Sequence, residues 1–181
     1  MVYVFLADGF ETIEALIPVD LMRRAGIDVV TVGVTGKTVL STQNVRVEAD
    51  ITLDDARFDA SLEGVILPGG GLGTQNLDKS EGVRALTKRA YDNGLMVAAI
   101  CAAPSVLGHM GLLSDREAVC YPGFERELGC RSIPDAFAVT DGNIITSAGA
   151  GSATEFAFHI ITYLRGEQAA QRIREQIILC Y

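Results

Sequence analysis

The chain has 181 residues, 49% of them hydrophobic and 21% charged, with a formal net charge of −8. This suits one globular domain able to bury a full core and excludes a disordered chain. The acidic balance argues against broad contact with nucleic-acid phosphates or anionic lipid and favours a small or uncharged partner.

The opening "MVYVFLADGFETIE" lacks the basic start and long apolar run of a signal peptide. No stretch nears the roughly 18 apolar residues of a membrane span. The chain therefore reads as cytoplasmic, with no membrane and no specific nucleic-acid partner. The four cysteines, Cys101, Cys120, Cys130 and Cys180, form no C-x-x-C pair, and only His109 and His159 are available to join them. No metal site is expected, and the sparse set suits a reducing compartment.

In chain order, "VYVFLA" (2–7) reads as a strand buried on both faces. Residues 11–26 read as a helix stopped by Gly26, with a kink or restart at Pro18, which cannot donate to the Glu14 carbonyl. "DVVTVGV" (28–34) is a second strand, and "TVLS" with "VRVEA" a short hairpin or pair of edge strands. "GVILP" (64–68) is a buried strand followed by a glycine-rich loop, residues 80–93 a helix, and "LMVAAI" (95–100) another buried strand. A helix follows from about residue 103, then "EAVCYP" (117–122) as a short strand. "AFAVTDGNIITSA" reads as a hairpin about Asp-Gly-Asn. Helices over 152–165 and 167–178, parted by Gly166, close the chain. No repeat or linker interrupts this order, so a single domain over 1–181 is expected.

Alternating strands and helices imply a mostly parallel sheet covered on both faces, in which ligands bind beyond the carboxyl ends of the strands. Three segments fall there. Cys101 sits where a buried strand turns into a helix. Ala102 and Ala103 permit a tight turn, and Pro104 suits the first helical turn. Free N–H groups and a helix N-terminus would lower the thiol pKa; the plain alternative is a small buried hydrophobe. The run Gly69–Asn76, "GGGLGTQN", offers backbone donors for an anion or oxyanion, yet lacks the Gly-Lys-Ser/Thr of a phosphate loop and the third glycine of a dinucleotide fingerprint. Most such glycine turns are only turns. Glu14, framed by Ile13, Ala15, Leu16 and Ile17 and three residues after Glu11, is on residue type alone a solvated helix glutamate. If buried, its pKa rises and it can donate a hydrogen bond to a thiolate.

Taken together, "ETIEALIPVDLMRRAGI", "VILPGGGLGTQNL", "VAAICAAP" and "ITSAGAGSATEFAF" resemble the DJ-1/ThiJ/PfpI superfamily, in the branch of the parkinsonism-associated deglycase. They occur in family order and span nearly the whole chain. The resemblance implies a flavodoxin-like α/β three-layer sandwich with a mostly parallel central sheet, a homodimer, and no cofactor. It implies a nucleophile at Cys101, a protonated partner at Glu14, and backbone oxyanion donors at Gly70 and Ala102, with Gly71 and Tyr121 as further lining. Two departures stand out: Tyr121 occupies the position of a frequent family His, and Ala148 that of a family Arg. Tyr is a poor base near neutral pH. The protease and amidotransferase relatives need a His next to the cysteine or a distant His-Glu pair. Here Ala102 follows Cys101, His109 lies about two helical turns on, and His159 reads as a packed residue of "FAFHIITYL". Peptidase activity is therefore not expected.

The resulting expectation is a cysteine-dependent, cofactor-free enzyme acting on a small-molecule aldehyde, converting 2-oxoaldehydes such as methylglyoxal to lactate. The alternative is a redox-sensing or chaperone-like binding protein in which Cys101 oxidises to sulfinate. A third reading is an interaction module with a vestigial site. Cys120 reads as a strand-core residue before a resolving thiol.

Overall fold

Alternate residues of β1 (Val2–Leu6) enter opposite cores: Val2, Val4 and Leu6 one, Tyr3 and Phe5 the other. A strand can bury both faces only when each carries apolar side chains and each is covered. The computed structural model describes residues 1–179, so Cys180 lies outside the described residues. After β1 come α1 (Thr12–Arg24), β2 (Val29–Gly33), the antiparallel pair β3 (Thr38–Leu40) and β4 (Arg46–Glu48), β5 (Ile51–Thr52) and β6 (Gly64–Leu67). Then follow α2 (Gly71–Lys79), α3 (Glu81–Asp92), β7 (Met96–Ile100), α4 (Pro104–His109), α5 (Glu125–Leu128), β8 (Ala138–Asp141), β9 (Ile144–Ser147), α6 (Ala153–Arg165) and α7 (Glu167–Gln176).

The central sheet has the order β5-β2-β1-β6-β7-β9-β8, parallel throughout except for the β8–β9 hairpin. The chain adds β2 on one side of β1 and β6 on the other, which makes a topological switch point between β1 and β6. One core lies between the sheet and α1, α6 and α7; it holds Ala15, Val19, Phe156, Ile160 and Ile173. The other, with Leu77, Val83, Ala90 and Leu107, lies under α2, α3 and α4. This is the expected flavodoxin-like sandwich. Among the described residues no helix is long and apolar enough to cross a membrane.

Three local expectations change. Residues 117–122 form no strand: Glu117 makes one isolated bridge to Ser132, while the N–H groups of Val119 and Tyr121 go to Thr146 Oγ1 and the Cys101 carbonyl. With its donors spent on Asp141, Ser132, Thr146 and Cys101, the segment has no ladder to join. The glycine-rich run is a loop only through Gly70, because α2 starts at Gly71. Lastly, α1 does not restart at Pro18. Only the Glu14 carbonyl loses its helical partner there, and Pro18 is buried in line with Ala15 and Met22.

The glycine-rich turn is sterically obligatory at Gly70. Its φ is +91°, and a Cβ there would collide with the Gly9 carbonyl and lie 2.7 Å from the Glu11 nitrogen. At Gly71 a Cβ meets nothing within 4 Å. Gly70→Ala should therefore destabilise the protein by about 1–3 kcal/mol in urea unfolding, with Gly71→Ala within about 0.5 kcal/mol of wild type. Equal effects would show that the turn tolerates a side chain.

Candidate active site

The three carboxyl-end segments meet at the switch point. The Glu11 N–H donates to the Gly69 carbonyl over 3.0 Å, and the Gly69 N–H donates to Glu14 Oε2 over 3.0 Å. This reciprocal pair ties the start of α1 to the end of β6. Gly69 has no room for a side chain: a Cβ would sit 2.5 Å from Glu14 Oε2 and 2.6 Å from Cys101 Cβ. Close approach of backbone to both groups is what glycine supplies here.

Cys101 is held from both sides by backbone. Its N–H donates to the Ser147 carbonyl at the end of β9, and its carbonyl accepts from the Tyr121 N–H, both over 2.8 Å. Its φ is +66°, the left-handed region that a side-chain-bearing residue occupies at a cost of about 1–3 kcal/mol. The strain has a geometric result. Met96, Ala98 and Ile100 face the α1 side of the sheet, so plain alternation would send Cys101 to the other side. The reversed turn instead packs Cys101 against the α1 core, where Glu14 lies. Cys120 belongs to the opposite core, with Cys130 packed beside it. It is a buried core residue, as expected.

Glu14 is 0% exposed, and its Oε1 makes no hydrogen bond. Burial, opposed by the nearby Cys101 thiol and assisted by the charge of Glu11, raises its pKa to about 7. Glu11 is the N-cap of α1, its Oε2 accepting from the Glu14 N–H over 2.8 Å, so the cap also supplies a like charge. Cys101 moves against the sequence expectation. Burial first, then the charge of and the hydrogen bond with Glu14, push its thiol up to about 12, although the N–H groups of Gly70 and Ala102 aim at the sulfur and pull it down. The helix dipole gives little help because α4 has only six residues and begins at Pro104. Carboxyl and thiol are close enough to titrate as one unit. Burial raises both groups, and the carboxyl gives up its proton before the thiol does; moving the remaining proton from sulfur to carboxylate creates the thiolate.

Glu14, Gly70, Cys101 and Ala102 thus converge. Gly71 does not reach them: it is exposed and lines a neighbouring cavity with Gly9, Ser41 and Asn44. Tyr121 touches Cys101 through its backbone only; its ring is 51% exposed and rests on Gly149. His109 is engaged by Asp78 at 2.9 Å and Glu127 at 3.3 Å. His159 bonds Thr140 over 2.8 Å and is half-buried at a cavity wall, not packed in the core. Neither is near the thiol pair's partners. Among the described residues, no group of three His, Cys, Asp or Glu is placed to hold a metal ion. The sequence places Gly69 in a run of backbone donors and Glu11 one helical turn from Glu14 without revealing the role of either, and it does not single out Ser147. Ser147 follows the same strand-end rule that located Cys101, whereas nothing in the sequence marks Glu11 as a cap, a role usually filled by shorter side chains.

A strained cysteine at a strand-to-helix turn, facing a buried carboxyl across a glycine backbone, defines a cysteine-centred site on a flavodoxin-like sheet. The DJ-1/PfpI family model matches residues 1–163, and the chain belongs to that family. It is 37% identical over 180 residues to the Parkinson disease protein 7 homolog of Danio rerio, covering 97% of this chain and 95% of that one. It is 29% identical over 171 residues to the glutathione-independent glyoxalase DJR-1.2 of Caenorhabditis elegans, covering 93% and 90%. The crystal structure of Drosophila melanogaster DJ-1beta superposes with a TM-score of 0.91 at 34% identity, covering 99% of this chain and 98% of that one.

Glu14 makes a signed stability prediction. Its folded pKa of about 7 lies above the unfolded value of 4.5, so the unfolded chain gives up its proton first. Stability from this group is full below about pH 4.5 and falls as pH rises toward 7, by about 3 kcal/mol once ionised. Urea unfolding at pH 4.5 and pH 8 should show this loss in wild type and its absence in Glu14→Gln. Parallel pH profiles for the two proteins would contradict the burial assignment.

Proposed function

We propose that the protein is a cofactor-free enzyme of the glyoxalase III type, converting small 2-oxoaldehydes to 2-hydroxy acids at Cys101. The observation that carries this reading is the buried Glu14 carboxyl set against the Cys101 thiol, with the N–H groups of Gly70 and Ala102 at the sulfur. The glyoxalase name of the Caenorhabditis elegans relative supports the same reaction class. As the sulfur bonds to the aldehyde carbon, its proton passes to the Glu14 carboxylate and the carbonyl electrons go to oxygen. The Gly70 and Ala102 N–H groups stabilise that oxyanion until Glu14 protonates it. Glu14 then removes the former aldehyde hydrogen as a proton. The freed electron pair forms an enediol, which is reprotonated at the neighbouring carbon to give a 2-hydroxy thioester. Water cleaves the thioester to the hydroxy acid and restores the thiol. One carbon is oxidised as its neighbour is reduced, so no external oxidant is consumed.

The homodimer and cytoplasmic location expected from the sequence stay within this proposal; light scattering at micromolar concentration tests the first. A redox role is the second reading. It is favoured by the same two N–H groups, which would also hold the oxygens of a Cys101 sulfinate.

Purified protein in chelator should form lactate from methylglyoxal, with kcat/KM rising through about pH 7 as the pair loses its first proton. Cys101→Ala should reduce turnover to background, and Glu14→Gln should lower kcat/KM by about 10²–10⁴-fold. Absence of lactate with wild type, together with selective oxidation of Cys101 by mild peroxide in mass spectrometry, would move the assignment to the redox reading.

A further inference from the structure

Between the two segments whose backbones bracket Cys101 lies a depression of about 330 Å³, open to solvent, whose walls include Tyr121, Pro122, Phe137, Ala148, Gly149 and Ser152. None of these side chains carries a charge. The Ser152 hydroxyl is already engaged, 2.7 Å from Ser147 Oγ and donating to the Gly149 carbonyl over 2.8 Å. The remaining surface is aromatic and aliphatic. Tyr121 and Phe137 are 51% and 72% exposed, a concentration of apolar ring surface that marks a contact site more often than chance.

The cavity is joined to the thiol through backbone. One wall starts at Tyr121, whose N–H donates to the Cys101 carbonyl. The other starts at Ala148, next to Ser147, whose carbonyl accepts the Cys101 N–H. The rings have firm mounts. The Phe137 carbonyl accepts from both Ser147 Oγ and the Ala148 N–H, each over 2.9 Å. The Tyr121 ring lies on Gly149, where a Cβ would sit 3.3 Å from its Cδ2. The cavity on the opposite side, past Gly71, has a different character, with Asp8, Ser41, Thr42 and Asn44 in its walls.

We propose that Tyr121, Phe137 and Ala148 form a subsite for the substituent of the 2-oxoaldehyde, and that the subsite selects apolar, aryl-sized groups over a methyl group. The proposal rests on the aldehyde chemistry assigned to Cys101 and deepens it by naming the substrate class. An apolar cavity of about 150 Å³ already admits a benzene ring, so a phenyl group fits here. A methyl group would leave most of the ring surface in water. Ala148 matters by its size and neutrality, since a long cationic side chain at that position would fill and charge the cavity.

Wild type, Phe137→Ser and Ala148→Arg are assayed with phenylglyoxal and methylglyoxal, following mandelate and lactate. The ratio of kcat/KM for phenylglyoxal to that for methylglyoxal should be about tenfold or more in wild type and fall about fivefold or more in each variant, the scale that apolar pocket contacts reach. A wild-type ratio at or below one, or a ratio unmoved in both variants, overturns the subsite. Acetophenone and acetone, neither of which carries an aldehyde, are also titrated into Cys101→Ser by NMR. Acetophenone should shift the Tyr121 and Phe137 resonances saturably and acetone should not. Such binding without turnover of either aldehyde by wild type supports the subsite while overturning the glyoxalase reading. Failure of acetophenone to shift those resonances overturns the subsite whatever the turnover.

Discussion

The hydrogen bond from the Gly69 N–H to Glu14 Oε2 organises the site. It places a carboxyl inside the protein, away from solvent, between the Gly69 N–H and the Cys101 thiol, with Oε1 left without a donor. A buried, under-satisfied carboxylate is costly, so the group keeps its proton into the neutral range. The arrangement depends on a turn that only glycine fits, on the α1 cap at Glu11, and on a cysteine backbone reversed to bring its sulfur to the same side of the sheet. The reversed cysteine backbone and the buried carboxyl cost stability locally. They occur together at the switch point of the sheet, where the fold leaves a crevice between diverging connections.

The chemistry follows from proton economy more than from an acidic thiol. Burial raises both groups, and each influences the other. In the proposed reaction the useful feature is a proton shared by the pair, which can sit on sulfur at rest and on carboxyl during attack. The Gly70 and Ala102 N–H groups favour the second arrangement by pointing at the sulfur. The absence of a nearby imidazole at Tyr121 is then no obstacle. In the proposed reaction the base is the carboxyl, and Tyr121 contributes its backbone N–H to the turn and its exposed ring to the proposed subsite.

Much of this was legible in the sequence because it depends on local pattern. The continuous apolar runs of β1, β6 and β7 identified strands buried on both faces. The alternation with helices led to the parallel sheet, the strand-end rule pointed to the segments after β1, β6 and β7, and the family resemblance picked Glu14, Gly70 and Cys101 within them. What was not legible depends on tertiary neighbours. The segment 117–122 has strand-like residues, but its donors are claimed by Thr146 and Cys101. Helix α2 was hidden because glycine is a poor helix former, and here Gly73 is kept small by a close approach to Phe10. The thiol pKa was misjudged for the same reason: a strand-to-helix turn advertises a dipole, while a six-residue α4 and a buried Glu14 decide the outcome.

The central claim is that Glu14 is held protonated into the neutral range by its burial beside Cys101. The direct measurement is a pH titration of the Glu14 side-chain carboxyl carbon by NMR in ¹³C-labelled protein, assigned with Glu14→Gln. The account predicts a midpoint near 7. A midpoint near the ordinary glutamate value of about 4.3 would contradict it.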